Sequence, residues 1–268
     1  MTGKVWLVGA GPGDASLITV KGLNCIRRAD CIVYDRLVNP ELLTFAGADC
    51  ELINVGKNPN HHPIPQPEIN RILIEQARLG RQVVRLKSGD PYVFGRGGEE
   101  AEDLAMLGLD FEVVPGITSA IGGLSYAGIP VTHRNYSSSF HVITGHLQDG
   151  KDPHNWQALA ALNGTLIILM GMSQIEQICQ KLIDNGRAAT TPAGVVMWAS
   201  RDSQRIVTST LAHLAAEVKR QGLGAPALIV IGEVVSLSEI LKFVPSQPQV
   251  EQRAINGQVE AEALCASL

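Results

Sequence analysis

Long apolar runs are missing from this chain. The most continuous, TLIILM and ALIVI, fall far short of the ~20 residues that a bilayer-spanning helix needs, and no basic segment leads into an apolar one at the N-terminus. The expectation is therefore a soluble, cytoplasmic protein with no membrane partner. Cysteine is sparse as well: the five residues at 25, 31, 50, 179 and 265 form no C-x-x-C pair and show no zinc-type spacing. Free thiols in a reducing compartment are predicted, with no structural disulfide. There is no basic excess either, since the formal net charge is −4, which argues against a nucleic-acid partner held by bulk charge. His61 and His62 are adjacent on a segment read as extended, so their side chains point to opposite sides, and no third ligand is spaced nearby; no metal is expected.

What is present is ample apolar material, 45% of 268 residues, arranged in short β-branched runs that alternate with amphipathic stretches. KVWLV, a helix from about Ser16, DCIVY, ELINV, a helix from about Gln66, QVVRL, a helix from about Gly98 and FEVV follow one another. Strand, helix, strand in repetition predicts a mainly parallel sheet covered by helices. From Phe140 the runs FHVIT, TLIILM, AGVVMW, RIVTST and ALIVIGEVV are separated by helical segments near 155, 173 and 210, and the last two or three lie close enough to pair antiparallel. The fold class read from this pattern is α/β with two α/β domains: 1–115 mainly parallel, 116–139 a connection, 140–245 with a mixed sheet, and 246–268 a disordered tail. A cleft between the domains is the expected small-molecule site. Trp6, Trp156 and Trp198 are read as core or interface residues, and Met170 on its own residues would pass for core.

GAGPGD, from Gly9 to Asp14, follows the first strand. A dinucleotide fingerprint would place glycines in this way, and Asp35, at the end of the second strand, would stand for the ribose-binding acid. Two residues oppose that reading. Asp14 occupies the third glycine's position, and Pro12 removes a backbone donor that a phosphate cradle would use. A nucleoside without phosphates fits better, with Asp14 or Ser16 capping the helix, and a purely structural strand-to-helix turn remains open. SGDPYVFGRGGEE, from Ser88 to Glu100, puts Gly89 and Asp90 at a strand's carboxyl end, where open α/β sheets bind ligands. Pro91 stiffens the turn, and Gly97 and Gly98 read either as loop glycines or, with Arg96, Glu99 and Glu100 beside them, as part of a site. VVPGITSA sets Thr118 and Ser119 at a helix N-terminus, suited to a carboxylate or to a plain cap.

GAGPGD, YDRLV, VGK followed by QPEIN, LKSGDPYVFGRGGEE, VPGITSA, GIPVTHR, TGH and PALIVIGEVV occur in this order, and together they resemble the uroporphyrinogen-III C-methyltransferases over about residues 3 to 244. Single pieces are shared with the wider tetrapyrrole methyltransferase class, which includes diphthine synthases and ribosomal RNA 2'-O-ribose methyltransferases. YDRLV with GDPYVFGRGGEE and THR points to the uroporphyrinogen branch.

The resemblance implies the tetrapyrrole methylase fold, a homodimer, and S-adenosylmethionine bound between two α/β domains. It implies Pro12, Gly89, Asp90, Val93, Thr118, Ser119, Met170, Ala199 and Ala227 as cofactor positions. The implied reaction moves two methyl groups to carbons 2 and 7 of uroporphyrinogen III. Precorrin-2 forms by way of precorrin-1, with two S-adenosylhomocysteines released, for sirohaem, cobalamin or haem d1. Asp35 and Lys57 are the implied proton acceptor and donor, and Arg96 with Glu99 is a competing site. Arg96, Arg134 and Met170 are the implied substrate contacts. An eight-carboxylate substrate needs local cations, and Lys57, His61, His62, Lys87, Arg96, His133, Arg134 and His146 are the candidates, arginine forks ranking first. Asp35 needs burial to become a useful base near neutral pH. Ser88, Asn58 and Ala199 depart from the residues usual in the family. The other readings are a methyltransferase of the same class acting on a later precorrin, a protein or RNA, an NAD-dependent oxidoreductase, and a non-catalytic tetrapyrrole-binding subunit.

Overall fold

The computed structural model describes residues 3–56, 64–146 and 152–243. Lys57, Asn58, His61, His62 and the stretch from 246 onward, read above as a tail, lie outside the described residues.

The first half holds strands β1 (Lys4–Gly9), β2 (Cys31–Tyr34), β3 (Glu51–Asn54), β4 (Gln82–Lys87) and β5 (Asp110–Val114), with helices α1 (Val20–Arg27), α2 (Gln66–Arg78) and α3 (Gly97–Met106) between them. All strands pair parallel in the order β3-β2-β4-β1-β5. Alternation along each strand divides its apolar residues between two layers. Val5, Leu7, Val33 and Val83 pack under Ile69 and Leu73 of α2 and Leu104 of α3. Val8, Ile32, Val84 and Leu86 face Ile26 of α1 and Leu42. The helix expected from Ser16 starts later: Asp14 caps a single 3-10 turn, Ala15–Leu17, and Thr19 caps α1.

The second half contributes α4 (Ser119–Tyr126), β6 (Phe140–Thr144), α5 (Trp156–Ala161), β7 (Thr165–Leu169), α6 (Ile175–Asp184), β8 (Pro192–Met197), β9 (Arg205–Thr210), α7 (Leu214–Gln221), β10 (Ala227–Ile231) and α8 (Ser238–Leu241). Its sheet is mixed, in the order β6-β7-β10-β8-β9, with β6 and β7 parallel and the other pairs antiparallel. The antiparallel pairing expected for the late strands is present, but β9 and β10 are not neighbours. β10 instead inserts between β7 and β8, because an all-apolar strand, buried on both faces, belongs at the centre of a sheet. One face of this sheet carries α5, α6 and α7. The other packs on Ala120 and Leu124 of α4, which is how the segment following the first sheet joins the second half.

A parallel sheet gathers the carboxyl ends of its strands at one edge. Here that edge holds the segments after Gly9, Tyr34, Asn54, Lys87 and Val114, which carry most of the residues singled out above.

Candidate active site

Three loops meet over the carboxyl edge of the first sheet at Gly9, Gly89 and Gly116. A β-carbon on Gly116 would stand 2.3 Å from the Gly89 carbonyl oxygen and 2.6 Å from the Gly9 Cα, so only glycine allows the backbones this close. Gly11 and Gly89 exchange backbone hydrogen bonds, 2.8 Å from the Gly89 N–H and 3.2 Å from the Gly11 N–H. Asp90 is committed within this knot: Oδ1 accepts from the Tyr92 N–H at 2.8 Å and Oδ2 from the Gly116 N–H at 3.0 Å. Its carboxylate thus ties two loops together, an arrangement that its position alone did not reveal. Thr118 caps α4, accepting from the Ala120 N–H at 3.4 Å, and Gly89 faces the backbone of Thr118 and Ser119.

Asp14 does more than cap. Its Oδ1 accepts from the backbone N–H and hydroxyl of Ser16, its Oδ2 from the Tyr126 hydroxyl at 2.7 Å, and its own N–H donates to Ser200 Oγ at 3.1 Å. Burial would raise this carboxyl, but the hydrogen bonds from Ser16 and Tyr126 outweigh it and hold the group below the ordinary range. Burial, aided by the Asp14 charge, pushes the Tyr126 phenol up to about 12. Gln204 closes the ring by donating to the Tyr126 carbonyl and accepting from the Ser200 N–H. Pro12 lies against the Gly122 position of α4, and Gly13 against the Ala199 carbonyl. The GAGPGD loop is therefore wedged between the two halves, with its acid already occupied.

The second sheet presents its facing edge at the ends of β7 and β8 and the start of β10. Register places Leu169 opposite Leu228 and Met197 opposite Ala227, which brings Met170, Ala199 and Ala227 to one side. Met170 is 50% exposed and has a left-handed backbone, φ 56°, so it is not the core residue its apolar run suggests. Phe94, Arg96, Trp198 and Ser200 are also left-handed, at φ 52°, 59°, 50° and 59°. Non-glycine residues adopt this region at a cost. All five lie in the loops after β4, β7 and β8, at these two edges. Ala199 places its methyl opposite the Gly123 position of α4, so the alanine standing where relatives are expected to have glycine fills space that Gly123 leaves open.

A charged network runs beneath the first sheet's edge. Arg85, with 2% of its side chain exposed, donates through Nη2 to Asp35 Oδ1 at 2.6 Å and through Nε to Glu100 Oε1 at 2.9 Å. Lys87 reaches the same Glu100 oxygen at 2.9 Å, and Gln66 at 3.1 Å, whereas Glu100 Oε2 has no hydrogen-bond partner among the described residues. Burial would lower Arg85, but Asp35 and Glu100 outweigh it and raise the guanidinium. Burial lowers Lys87, and the Arg85 charge adds to this. Lys87 is thus removed from the cations expected to meet a substrate: it is enclosed and spent on Glu100. Asp35 is partly buried, its side chain 31% exposed, with one carboxylate oxygen held by Arg85. Arg96 and Glu99 form an exposed pair, 2.9 and 2.6 Å, beside a hollow of about 280 Å³ between α2 and α3. Arg134 is exposed in the turn bridged by His133 and Ser137, and His146 follows β6 on the second sheet. Val93 hydrogen-bonds back to the Asp90 carbonyl in the same turn. No cluster of His, Cys, Asp or Glu suited to a metal occurs among the described residues.

Residues 4–215 match the family model of the tetrapyrrole (corrin/porphyrin) methylases. The chain belongs to that family. This tetrapyrrole methylase is 51% identical over 237 residues to the uroporphyrinogen-III C-methyltransferase of Priestia megaterium, covering 88% of the chain and 100% of that protein. It is 50% identical over 241 residues to the siroheme synthase of Chromobacterium violaceum, covering 90% of the chain and 51% of the relative. The chain thus spans about half the length of the siroheme synthases it matches. A crystal structure of the Thermus thermophilus uroporphyrin-III C-methyl transferase complexed with S-adenosylhomocysteine superposes with a TM-score of 0.74 at 39% identity, over 87% of this chain and 93% of that one. No described helix of this tetrapyrrole methylase is long and apolar enough to cross a membrane.

Two residues with prominent places in the network escaped the sequence reading. Arg85 lies inside a strand and Glu100 beside the glycines, and no motif gives either a role. The available signal was spacing: Arg85 and Lys87 are two apart on a strand and share a face, and Glu100 lies on the helix that packs there.

Proposed function

We propose that this tetrapyrrole methylase is an S-adenosylmethionine-dependent uroporphyrinogen-III C-methyltransferase. It methylates carbons 2 and 7 to form precorrin-2 by way of precorrin-1. The observation that carries the reading is the 51% identity to a curated enzyme of that activity across that enzyme's whole length. The site's chemistry supports the donor. The Gly9–Gly89–Gly116 knot leaves backbone groups and small residues to line the space, Pro12 offers no N–H, and Asp14 is held as an anion. Such a lining suits a nucleoside without phosphates and opposes a pyrophosphate.

In this reading Pro12, Gly89, Asp90, Val93, Thr118, Ser119, Met170, Ala199 and Ala227 hold S-adenosylmethionine. Asp90 acts by pinning the Gly116 loop. The donor supplies an electrophilic methyl on a sulfonium, with a thioether that leaves readily. The chain supplies placement of the pyrrole carbon in line with that methyl, from which most of the acceleration arises. Arg96 and Arg134 take substrate carboxylates and Met170 contributes an exposed apolar surface. Asp35 accepts the proton that the methylated macrocycle releases, with Lys57 as donor and Arg96–Glu99 as a second polar pair at the rim. The working unit is a homodimer, which sedimentation velocity tests directly.

Anaerobic incubation with uroporphyrinogen III and S-adenosylmethionine should yield a product heavier by two methyl groups and two equivalents of S-adenosylhomocysteine. Unchanged substrate mass refutes the assignment, and methylation of a later precorrin alone would move the chain to another branch of the family.

A further inference from the structure

The Arg85 guanidinium is satisfied on every side that the fold presents to it. Nε is bound to Glu100, Nη1 reaches the Val33 carbonyl at 3.3 Å, and Nη2 holds Asp35 at 2.6 Å. An arginine held by Glu100 and by the Val33 carbonyl has one geometry, and it therefore imposes one geometry on the third group it touches. That group is Asp35, whose Oδ1 is taken by Arg85 while the side chain stays partly open at the end of β2. The charges facing this pair are Arg85 and Lys87 from β4 and Glu100 from α3, with neutral Gln66 from α2 behind them. Two basic side chains meet two acidic ones, so the cluster balances, and the carboxylates of Asp35 and Glu100 offset the cost of burying Arg85.

We propose that Arg85, anchored by Glu100, is the positioning residue for Asp35: it fixes that carboxylate as an oriented anion with its second oxygen turned to the substrate. The proposal rests on the reading in which Asp35 meets the macrocycle. A fixed anion serves there because a pyrrole that attacks a methyl cation equivalent becomes electron-poor, and an acceptor already in place need not reorganise. Arg85 touches neither reactant and acts through Asp35.

The test compares the full-length chain with Arg85→Lys, Asp35→Asn, the double variant Arg85→Lys/Asp35→Asn, and the charge-balanced Arg85→Met/Glu100→Gln. Turnover of uroporphyrinogen III is measured together with S-adenosylhomocysteine affinity by calorimetry. Arg85→Lys keeps the charge but cannot span Glu100 and Asp35 with a planar fork. It should lower kcat about tenfold or more with KM and S-adenosylhomocysteine affinity within about twofold. Arg85→Met/Glu100→Gln should do the same while the net charge of the cluster is kept, Lys87 facing a neutral amide oxygen in place of the carboxylate. If Arg85 works through Asp35, the Arg85→Lys/Asp35→Asn double variant should be no slower than Asp35→Asn alone. Parental kcat in Arg85→Lys, or losses that multiply in the double variant, would overturn the proposal, and these results stand even if the charge-balanced variant fails to fold. Parental turnover in Asp35→Asn overturns its premise and the proposal with it. A parental chain that leaves uroporphyrinogen III unmethylated overturns the function assignment and this proposal together, so the two failures are told apart by the parental assay.

Discussion

Gly116→Ala is the sharpest single test of the loop knot. The added β-carbon would lie 2.3 Å from the Gly89 carbonyl oxygen, 2.6 Å from the Gly9 Cα and 2.7 Å from the Gly9 carbonyl carbon, whereas ordinary contact begins at 3.4 Å. All three neighbours are backbone, so no side chain can swing aside, and the 115–119 loop must retreat by roughly 1 Å. Overpacking of this kind costs about 1–3 kcal/mol. Retreat also stretches the 3.0 Å bond from the Gly116 N–H to Asp90, worth about 1 kcal/mol. Restriction of the unfolded chain returns about 0.4–1 kcal/mol, leaving a net loss of about 2 kcal/mol. The loss of function should be larger, because a displacement near 1 Å in a group that positions a reactant can cost about 100-fold. Urea denaturation should show a lower midpoint at unchanged slope, and calorimetry should show S-adenosylhomocysteine affinity reduced more than tenfold. Gly98→Ala is the control: nothing lies within 4 Å of its β-carbon, and in α3 the change should be neutral or stabilising by up to ~1 kcal/mol. Affinity within twofold of the parent and an unchanged midpoint in Gly116→Ala would refute the close-approach reasoning.

Asp90→Ala removes the acceptor of two backbone N–H groups and should lower S-adenosylhomocysteine affinity about tenfold through loop release; unchanged affinity by calorimetry would remove it from the site. Arg96→Ala should lose most turnover while its thermal midpoint stays within about 2 °C, because an exposed i,i+3 pair contributes under ~1 kcal/mol; parental turnover would clear Arg96 of a substrate role. Burial pushes the Cys31 and Cys179 thiols from 9.0 up to about 11. The fold prefers the neutral thiol, so this stabilisation is whole below about pH 9 and is lost as pH rises through about 11, up to roughly 2–3 kcal/mol per thiol. Chemical denaturation between pH 8 and 11 should show a shallower decline in Cys179→Ala than in the parent, and parallel curves would contradict the assignment.

Much of the first sheet was legible because its strands are short apolar runs and the amphipathic helices α1, α2 and α3 separate β1 from β2, β3 from β4 and β4 from β5, so local pattern and tertiary partner agree. The second sheet was legible in content but not in order: nothing local to ALIVI states that it lies between TLIIL and PAGVVM. The same limit explains the site. Asp14 as a cap is a two-residue relation to Ser16 and could be read, but its other partners, Tyr126 and Ser200, are 112 and 186 residues away. Met170 reads as core from its apolar run alone, because apolar residues ending a strand normally face inward and a left-handed backbone leaves no trace in composition. Arg85 is hard to read for the opposite reason: nothing local to QVVRLK says that this strand lies between β1 and β2, where a charge must be paired inside the fold.

The place of β10 has a consequence for the order in which the protein can be made. The first five strands are complete by Val114, so that layer can close while the rest of the chain is still being synthesised. The second cannot, because β7 and β8, finished by Met197, have no hydrogen-bonded neighbour on their facing sides until Ala227–Ile231 emerges and slots between them. During that interval two apolar strands wait with open backbones, and a nascent chain stalled between Met197 and Ala227 is the form of this protein most exposed to aggregation.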